Sequence, residues 1–193
     1  YKIEGWAYAG RVFYSLAKAS AAGVPTFTIL HGPSTAGGAY MPGMSDYNVG
    51  VKNNGMAALG GAALVQAATG EIADERELGG TEMHASVSGL MEHLADDDVD
   101  GIHKMRELVG RLGWNSHCPP KPESDFQDPF YDAEEILGLV PTDYKVPYDS
   151  RELIARLVDG SDFIEFSNRF GTNLVCVHAS IFGHDVALVA NNG

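Results

Sequence analysis

Cysteine is scarce in this chain. Cys118 and Cys176 are the only two among 193 residues, and they lie far apart. They form no CxxC pair, and no histidine stands at finger spacing from either. A disulfide framework and a His/Cys metal site are both disfavoured, and no metal is expected. A reducing compartment fits: the cytoplasm, or the mitochondrial matrix in a eukaryote. HExxH, GxGxxG and GxxxxGK[ST] are absent, which removes the zincin, Rossmann and P-loop readings. Long apolar runs are missing too, because glycine interrupts them, so no membrane span is expected. Basic residues are few: 13 Lys and Arg against 26 Asp and Glu leave a net charge of −13. That excludes a nucleic-acid surface and attraction to anionic lipid as working hypotheses. No signal-peptide pattern opens the chain. It begins at Tyr1 rather than Met and stops at Gly193 just after Asn191-Asn192, so both ends read as cuts through a longer chain.

What is present is the composition of a globular protein, 45% hydrophobic and 20% charged. The acidity is uneven. Residues 1–70 carry Lys2, Arg11, Lys18 and Lys52 against Glu4 and Asp46, so the negative excess lies downstream. An anionic small substrate would favour the first part. Periodicity predicts a helix over 6–22 with Val12, Phe13, Leu16 and Ala17 on one face. A strand over 26–30, a glycine-rich turn, a short helix or turn over 39–44 and a strand over 46–51 follow. Asn53-Asn54-Gly55 reads as a turn, and 62–68 as a helix stopped at Gly70. The alternation suggests a layered or superhelical α/β fold. A further amphipathic helix is predicted over 98–112 with Ile102, Met105, Val109 and Leu112 together. Residues 114–129 hold four prolines and no periodicity, which reads as a linker. Beyond it come a helix capped by Asp149 or Ser150 and running to Val158, a strand over 161–166, and a hairpin over 173–190.

The most informative stretch is ILHGPSTAGGAYMPGMSDY, residues 29–47. A β-rich run stops at His31-Gly32-Pro33, and only small residues follow until Tyr40. Main-chain N–H groups there can approach a ligand closely. Such a turn can aim two amides at a developing negative charge, as an oxyanion hole does. It can also be simply a tight strand-to-helix turn. An oxyanion hole without a side-chain nucleophile suits a thioester, because removing the proton beside the carbonyl leaves an enolate oxygen to hold.

Two rivals fit less well. Asp96-Asp97-Asp98-Val99-Asp100-Gly101 followed by Glu107 satisfies an EF-hand pattern, with Asp96, Asp98, Asp100, the Ile102 carbonyl and Glu107 as ligands. His103 and Lys104 sit poorly in such a loop, and an acidic helix start explains the same residues. His31, Ser34 and Asp46 suggest a serine hydrolase, yet Gly43-Met44-Ser45-Asp46-Tyr47 fails the GxSxG elbow at its last position.

The run AGVPTFTILHGPSTAGGAYMPGMSDY (22–47) resembles the carboxyltransferase (β) subunit of biotin-dependent acyl-CoA carboxylases of the propionyl, methylcrotonyl and geranyl type. So do LVQAATGEIADERELGGTEMHASVSG (64–89), ILGLVPTDYKVPYDSRELIARLVDGSDFIEF (136–166) and FGHDVALVANNG (182–193), in the same order. The resemblance implies an α/β crotonase-type superhelix of ββα units, with parts of two tandem domains. Residues 1–116 would belong to the first, 117–127 to the Pro-rich linker and 128–193 to the second. The implied activity moves a carboxyl group from carboxybiotin to the α, or vinylogous γ, carbon of an acyl-CoA. The implied partners are a biotin carboxylase or biotin carboxyl carrier subunit and further copies of the carboxyltransferase subunit.

Carried onto this chain, the acyl oxyanion donors would be the Gly37 and Gly38 amides. Ser34, Thr35, Ala36, Ala39, Tyr40 and His84 would surround the substrate, although Tyr40 could equally be core packing and His84 a structural hydrogen bond. The amide pair for the biotin oxygen would fall beyond Gly193, so these 193 residues alone are expected to be inactive. The other reading is a non-catalytic CoA-binding or assembly piece of the same lineage. The family pattern leads one to expect Gly-Pro-Pro and Lys where Gly61-Ala62-Ala63 and Gln66 stand, and a more basic or bulky stretch at Asn53-Asn54-Gly55. A looser turn and one fewer phosphate contact are the expected consequences. The acidic run from Glu71 to Glu82 is expected to be a solvated face.

Overall fold

A computed structural model describes residues 4–113, 126–143 and 145–193. The chain divides into two compact units, Tyr1–Pro119 and Pro120–Gly193.

The first unit opens with helix α1 (Glu4–Ala21), which turns Phe13, Leu16 and Ala19 inward; Val12 and Ala17, placed on that face by periodicity, are exposed. Each following segment contributes strands to two different sheets. Strands β1 (Phe27–Leu30) and β2 (Pro33–Thr35) lead into a single 3-10 turn (Ala36–Gly38) and helix α2 (Tyr40–Met44). Strands β3 (Tyr47–Val51) and β4 (Met56–Ala58) lead into helix α3 (Ala62–Thr69). β1 and β3 pair in parallel, as do β2 and β4. Short helices α4 (Glu75–Gly79) and α5 (Thr81–Met83), a π turn (His84–Ser88), strand β5 (His93–Ala95) beside β3, and helix α6 (Asp98–Arg111) complete the unit. This is the repeated ββα arrangement.

The corner between the two sheets is the Asn53-Asn54-Gly55 turn. Asn53 has φ +60°, in the left-handed region that asparagine tolerates better than most residues. Its N–H donates to Glu82 Oε1 at 3.0 Å, and the Asn54 amide donates to the His31 carbonyl. Thr81 is fully buried and donates from Oγ1 to the Val51 carbonyl at 3.1 Å. Residues 79–82 therefore correct the picture of a solvated acidic face. Side chains 74–77 do face water, but Gly79, Gly80 and Thr81 are buried and Glu82 is half-buried. Burial alone would raise the Glu82 carboxyl. Hydrogen bonds from its own amide, Asn53 and Thr81, together with the Arg76 charge, bring it below its ordinary value instead. At 61–63 helix α3 starts without proline, the Gly61 carbonyl accepting from Leu64 and Val65 N–H at 2.9 and 3.1 Å.

Helix α6 differs from expectation by one residue of rotation. Gly101 and Leu108 are buried and Met105 and Leu112 half-buried, as expected for the last two, whereas Ile102 and Val109 are 53% and 42% exposed. Gly101 decides this, because a Cβ there would meet Ile29 Cγ2 at 3.3 Å, so the helix seats its glycine against β1 and β3. Asp97 caps the helix, accepting from Asp100 N–H. Asp96 pairs with Lys52, Asp100 with Lys104 and Glu107 with Arg111, and 98–111 is one continuous helix. The EF-hand geometry is thus absent.

Just before β5, Glu92 Oε2 accepts the Asn48 N–H at 2.7 Å. Desolvation by burial raises its carboxyl above the ordinary glutamate range despite that hydrogen bond. A raised folded value means that ionisation costs the native state. The stability this group contributes is full below its unfolded value and is lost as pH rises through the folded one. Glu92→Gln retains an acceptor without the charge. It is expected to exceed the parent in urea resistance at neutral pH, with the gap closing toward the ordinary glutamate value of about 4.3.

Of the expected linker 117–127, residues 117–125 lie outside the described residues, as does Cys118. Phe126 packs edge-on to Phe182, and the Gln127 carbonyl accepts from Gly160 N–H. A 3-10 turn (Ala133–Glu135) leads into helix α7 (Ile136–Leu139). Helix α8 (Ser150–Ile154) is capped by Asp149 and is shorter than expected. Beyond it Arg156 N–H bonds to Leu153 and Leu157 N–H to Ile154, tightening the chain out of α-geometry. A second 3-10 turn (Asp159–Ser161) precedes the antiparallel strands β6 (Phe163–Phe166), β7 (Leu174–Ile181) and β8 (His184–Asn191). Ile154, Val158, Val175, Val177 and Ala179 form the core. Phe182 and Gly183 both have positive φ, the geometry of a two-residue hairpin turn that matches strand twist. The Asp159 carboxylate accepts both their amides, at 2.8 and 2.7 Å. Arg156, only 8% exposed, bonds Glu135 and Glu152 and lies 4.8 Å from the Tyr131 ring centroid.

Candidate active site

The glycine turn begins where β2 runs beside β4, with Ser34 opposite Ala57 and Thr35 opposite Ala58. Ala36 then adopts φ +51°. For a residue with a Cβ this costs about 1–2 kcal/mol. The strain sits directly before the two glycines, where the chain must reverse from strand to helix. Ala39 N–H closes the 3-10 turn on the Ala36 carbonyl at 3.1 Å. The Ala36 and Gly37 amides of such a turn have no acceptor inside it, while the Gly38 amide faces the Thr35 carbonyl. Among the described residues no acceptor outside the turn is supplied to the Gly37 or Gly38 N–H. At Gly38 a Cβ would lie 2.7 Å from Ser34 Oγ, so the Ser34 hydroxyl would have to turn away to admit a side chain.

Beside the turn lies an open cavity of about 760 Å³. Ala39 and Tyr40 form its edge nearest the glycines, β4 and α3 supply Ala57, Ala58, Leu64 and Val65, and Leu78, His84 and Leu90 line the rest. Tyr40 is 53% exposed and meets Phe13 edge-on, with ring centroids 5.8 Å apart. The π turn presents His84 to the cavity. Its Nε2 lies 2.7 Å from the Ala57 carbonyl. A carbonyl only accepts, so this nitrogen carries the proton. Nδ1 lies 2.7 Å from Ser88 Oγ, within hydrogen-bond distance. With both nitrogens occupied, the imidazole is held as a structural bridge between the π turn and β4. The turn offers main-chain amides as donors beside the Ser34 and Thr35 hydroxyls.

The carboxyl transferase domain model matches residues 3–193 of this sequence. The chain belongs to that family. Over 183 residues it is 46% identical to a probable biotin-dependent acyl-coenzyme A carboxylase beta2 subunit of Mycobacterium tuberculosis (strain ATCC 25618 / H37Rv), covering 94% of this chain and 34% of that protein. It is 44% identical over 185 residues to the mitochondrial methylcrotonoyl-CoA carboxylase beta chain of Dictyostelium discoideum, covering 95% and 31%. It is also similar to the transcarboxylase 12S hexamer crystallised with hydrolysed methylmalonyl-coenzyme A. There the TM-score is 0.84 at 32% identity, covering 98% of this chain and 36% of that one. The chain thus spans about a third of the length of these relatives. Its fold is the crotonase-like carboxyltransferase fold.

Within this carboxyl transferase chain, Ser34, Thr35, Ala36, Gly37 and Gly38 lie together in the turn, and Ala39, Tyr40 and His84 line the cavity beside it. Leu59, Leu64, Val65, Leu78 and Leu90 also line it and were not singled out from the sequence. The i, i+4 pair Leu64 and Ala68 on α3 was the available signal. The serine-hydrolase trio does not assemble. His31 stands 3.7 Å from Asp98, and Asp46 accepts from the Thr26 main-chain N–H and hydroxyl. Among the described residues no group of three His, Cys, Asp or Glu could hold a metal, and no helix is long and apolar enough to cross a membrane.

Proposed function

We propose that the protein containing this chain transfers a carboxyl group to the carbon beside an acyl-CoA thioester, or to its vinylogous γ position. The observation that carries this is the pair of Gly37 and Gly38 amides, given no partner outside their turn among the described residues and leading directly into Ala39 and Tyr40, which line an apolar cavity. As the proton leaves the carbon beside the carbonyl, negative charge moves to the thioester oxygen. Two fixed N–H donors hold that charge better than the neutral carbonyl, and this difference lowers the barrier. The enolate carbon then bonds to the carboxyl carbon as the bond from that carbon to the donor's nitrogen breaks, and the freed nitrogen would take the proton. Carboxybiotin, carried by a partner protein, supplies that group when bound. His84, with both nitrogens engaged, supports β4 rather than moving a proton. Ser34, Thr35, Ala36 and Ala39 shape the turn, and Tyr40 borders the acyl end.

In this reading the first unit, to about residue 116, is part of the N-terminal carboxyltransferase domain, and the second opens the C-terminal one from about residue 128. Assembly with a biotin carboxylase or biotin-carrier subunit and with further copies of itself follows from that role. So does residence in the cytoplasm or matrix with those partners.

The test is carboxylation by the full-length protein, supplied with a carboxylated biotin carrier and a panel of acyl-CoAs, with products identified by mass. A carboxylated CoA ester is the expected result. Acyl-CoA binding without any product would favour the non-catalytic CoA-binding reading.

A further inference from the structure

We propose that the cavity beside the glycine turn receives the hydrocarbon tail of the acyl group and selects longer apolar tails over propionyl. This rests on the placement of the thioester oxygen at the Gly37 and Gly38 amides. Ala39 and Tyr40 follow those amides directly in the chain and form the near edge of the cavity. A carbonyl held at the turn therefore starts its tail at this opening.

Size is the first argument. The space is about 760 Å³. At about 30 Å³ for each water-sized group, a three-carbon acyl chain would fill roughly 90 Å³ and leave the walls wet. A ten-carbon chain would take roughly 300 Å³ and cover correspondingly more of the lining. Alanines at 57, 58 and 68 keep that depth available.

Polarity is the second. Leu64, Val65, Leu78 and Leu90 offer only carbon. The side chains in the lining that carry hydrogen-bonding groups on the wall away from the turn have already used them. His84 is bonded at both nitrogens, and Thr69 Oγ1 donates to the Val65 carbonyl at 2.9 Å. A phosphate or carboxylate pushed into this space would lose water without gaining a partner, which is costly. A hydrocarbon loses nothing and gains burial.

Isothermal titration of the full-length protein with propionyl-, hexanoyl-, octanoyl- and decanoyl-CoA tests this. The dissociation constant is expected to fall by up to about fourfold per added methylene until the cavity is filled, each buried methylene being worth about 0.8 kcal/mol. Ala68→Phe, at an exposed position of α3 whose side chain points along the cavity wall, is expected to shrink the decanoyl-to-propionyl affinity ratio by about tenfold or more. Constants that stay flat across the series would overturn the tail assignment while leaving the thioester reading intact. A chain-length gain untouched by Ala68→Phe would also overturn it, since the tail would then lie elsewhere. No binding of any acyl-CoA would overturn both.

Discussion

Full-length protein carrying Gly38→Pro is expected to lose carboxyl transfer by a factor of about 10²–10³, the usual effect of deleting one oxyanion donor. Proline removes the N–H and leaves the turn no replacement. It also disfavours helical geometry at the preceding residue, so the deletion needs a companion that keeps the amide. Gly38→Ala is that companion. Its Cβ would lie 2.7 Å from Ser34 Oγ but 3.8 Å from Ser34 Cβ. The single variant should therefore be impaired by a clash with one atom. Ser34→Ala deletes that atom and leaves ordinary van der Waals contact, so the double variant Ser34→Ala/Gly38→Ala should recover most of the lost turnover. Ser34→Ala should not rescue Gly38→Pro. Rescue of both, or of neither, in kcat measured by product mass would remove the amide from the mechanism.

Much of the turn is legible in the sequence. Small residues from Ser34 to Ala39 permit only a tight turn, and the abrupt end of the β-rich run placed it after a strand. The hairpin at 182–183 and the acidic start of α6 were also visible, because both are local. What escaped is made by tertiary contact. Strands β2, β4 and β5 have three residues each, too few to display a period of two, and they exist because their backbones find partners 20 or more positions away. The face of α6 was misjudged because the seat is a glycine, which carries no hydrophobic signal. His84 could not be assigned because its decisive partner, the Ala57 carbonyl, is 27 residues distant. The cavity is assembled from residues between Ala39 and Leu90, and no window of sequence shows that convergence.

The same reasoning puts the largest stability effect at a glycine remote from the chemistry. Gly55→Ala is expected to destabilise the first unit by about 3 kcal/mol, the upper end for overpacking. A Cβ at this position would lie 2.2 Å from the Leu30 carbonyl oxygen and 2.6 Å from Thr81 Cγ2. The first obstacle is main chain at the end of β1, and the second belongs to a fully buried side chain, so neither can swing aside. Gly55 also donates to the Val51 carbonyl at 2.9 Å and accepts from Thr81 N–H at 3.2 Å. Relief by moving the turn would stretch both bonds. It would also tilt β4, and with β4 the paired strand β2 that delivers Ser34 to the glycine turn. Loss of stability and loss of turnover should therefore travel together in this variant. Gly110→Ala is the control: nothing lies within 4 Å of its added Cβ, and α6 is a helix, where alanine is the better residue. Urea unfolding followed by circular dichroism should leave Gly110→Ala within about 0.5 kcal/mol of the parent. A Gly55→Ala protein equally close to the parent would show that this corner yields, and that the sheet junction does not hold the turn in place.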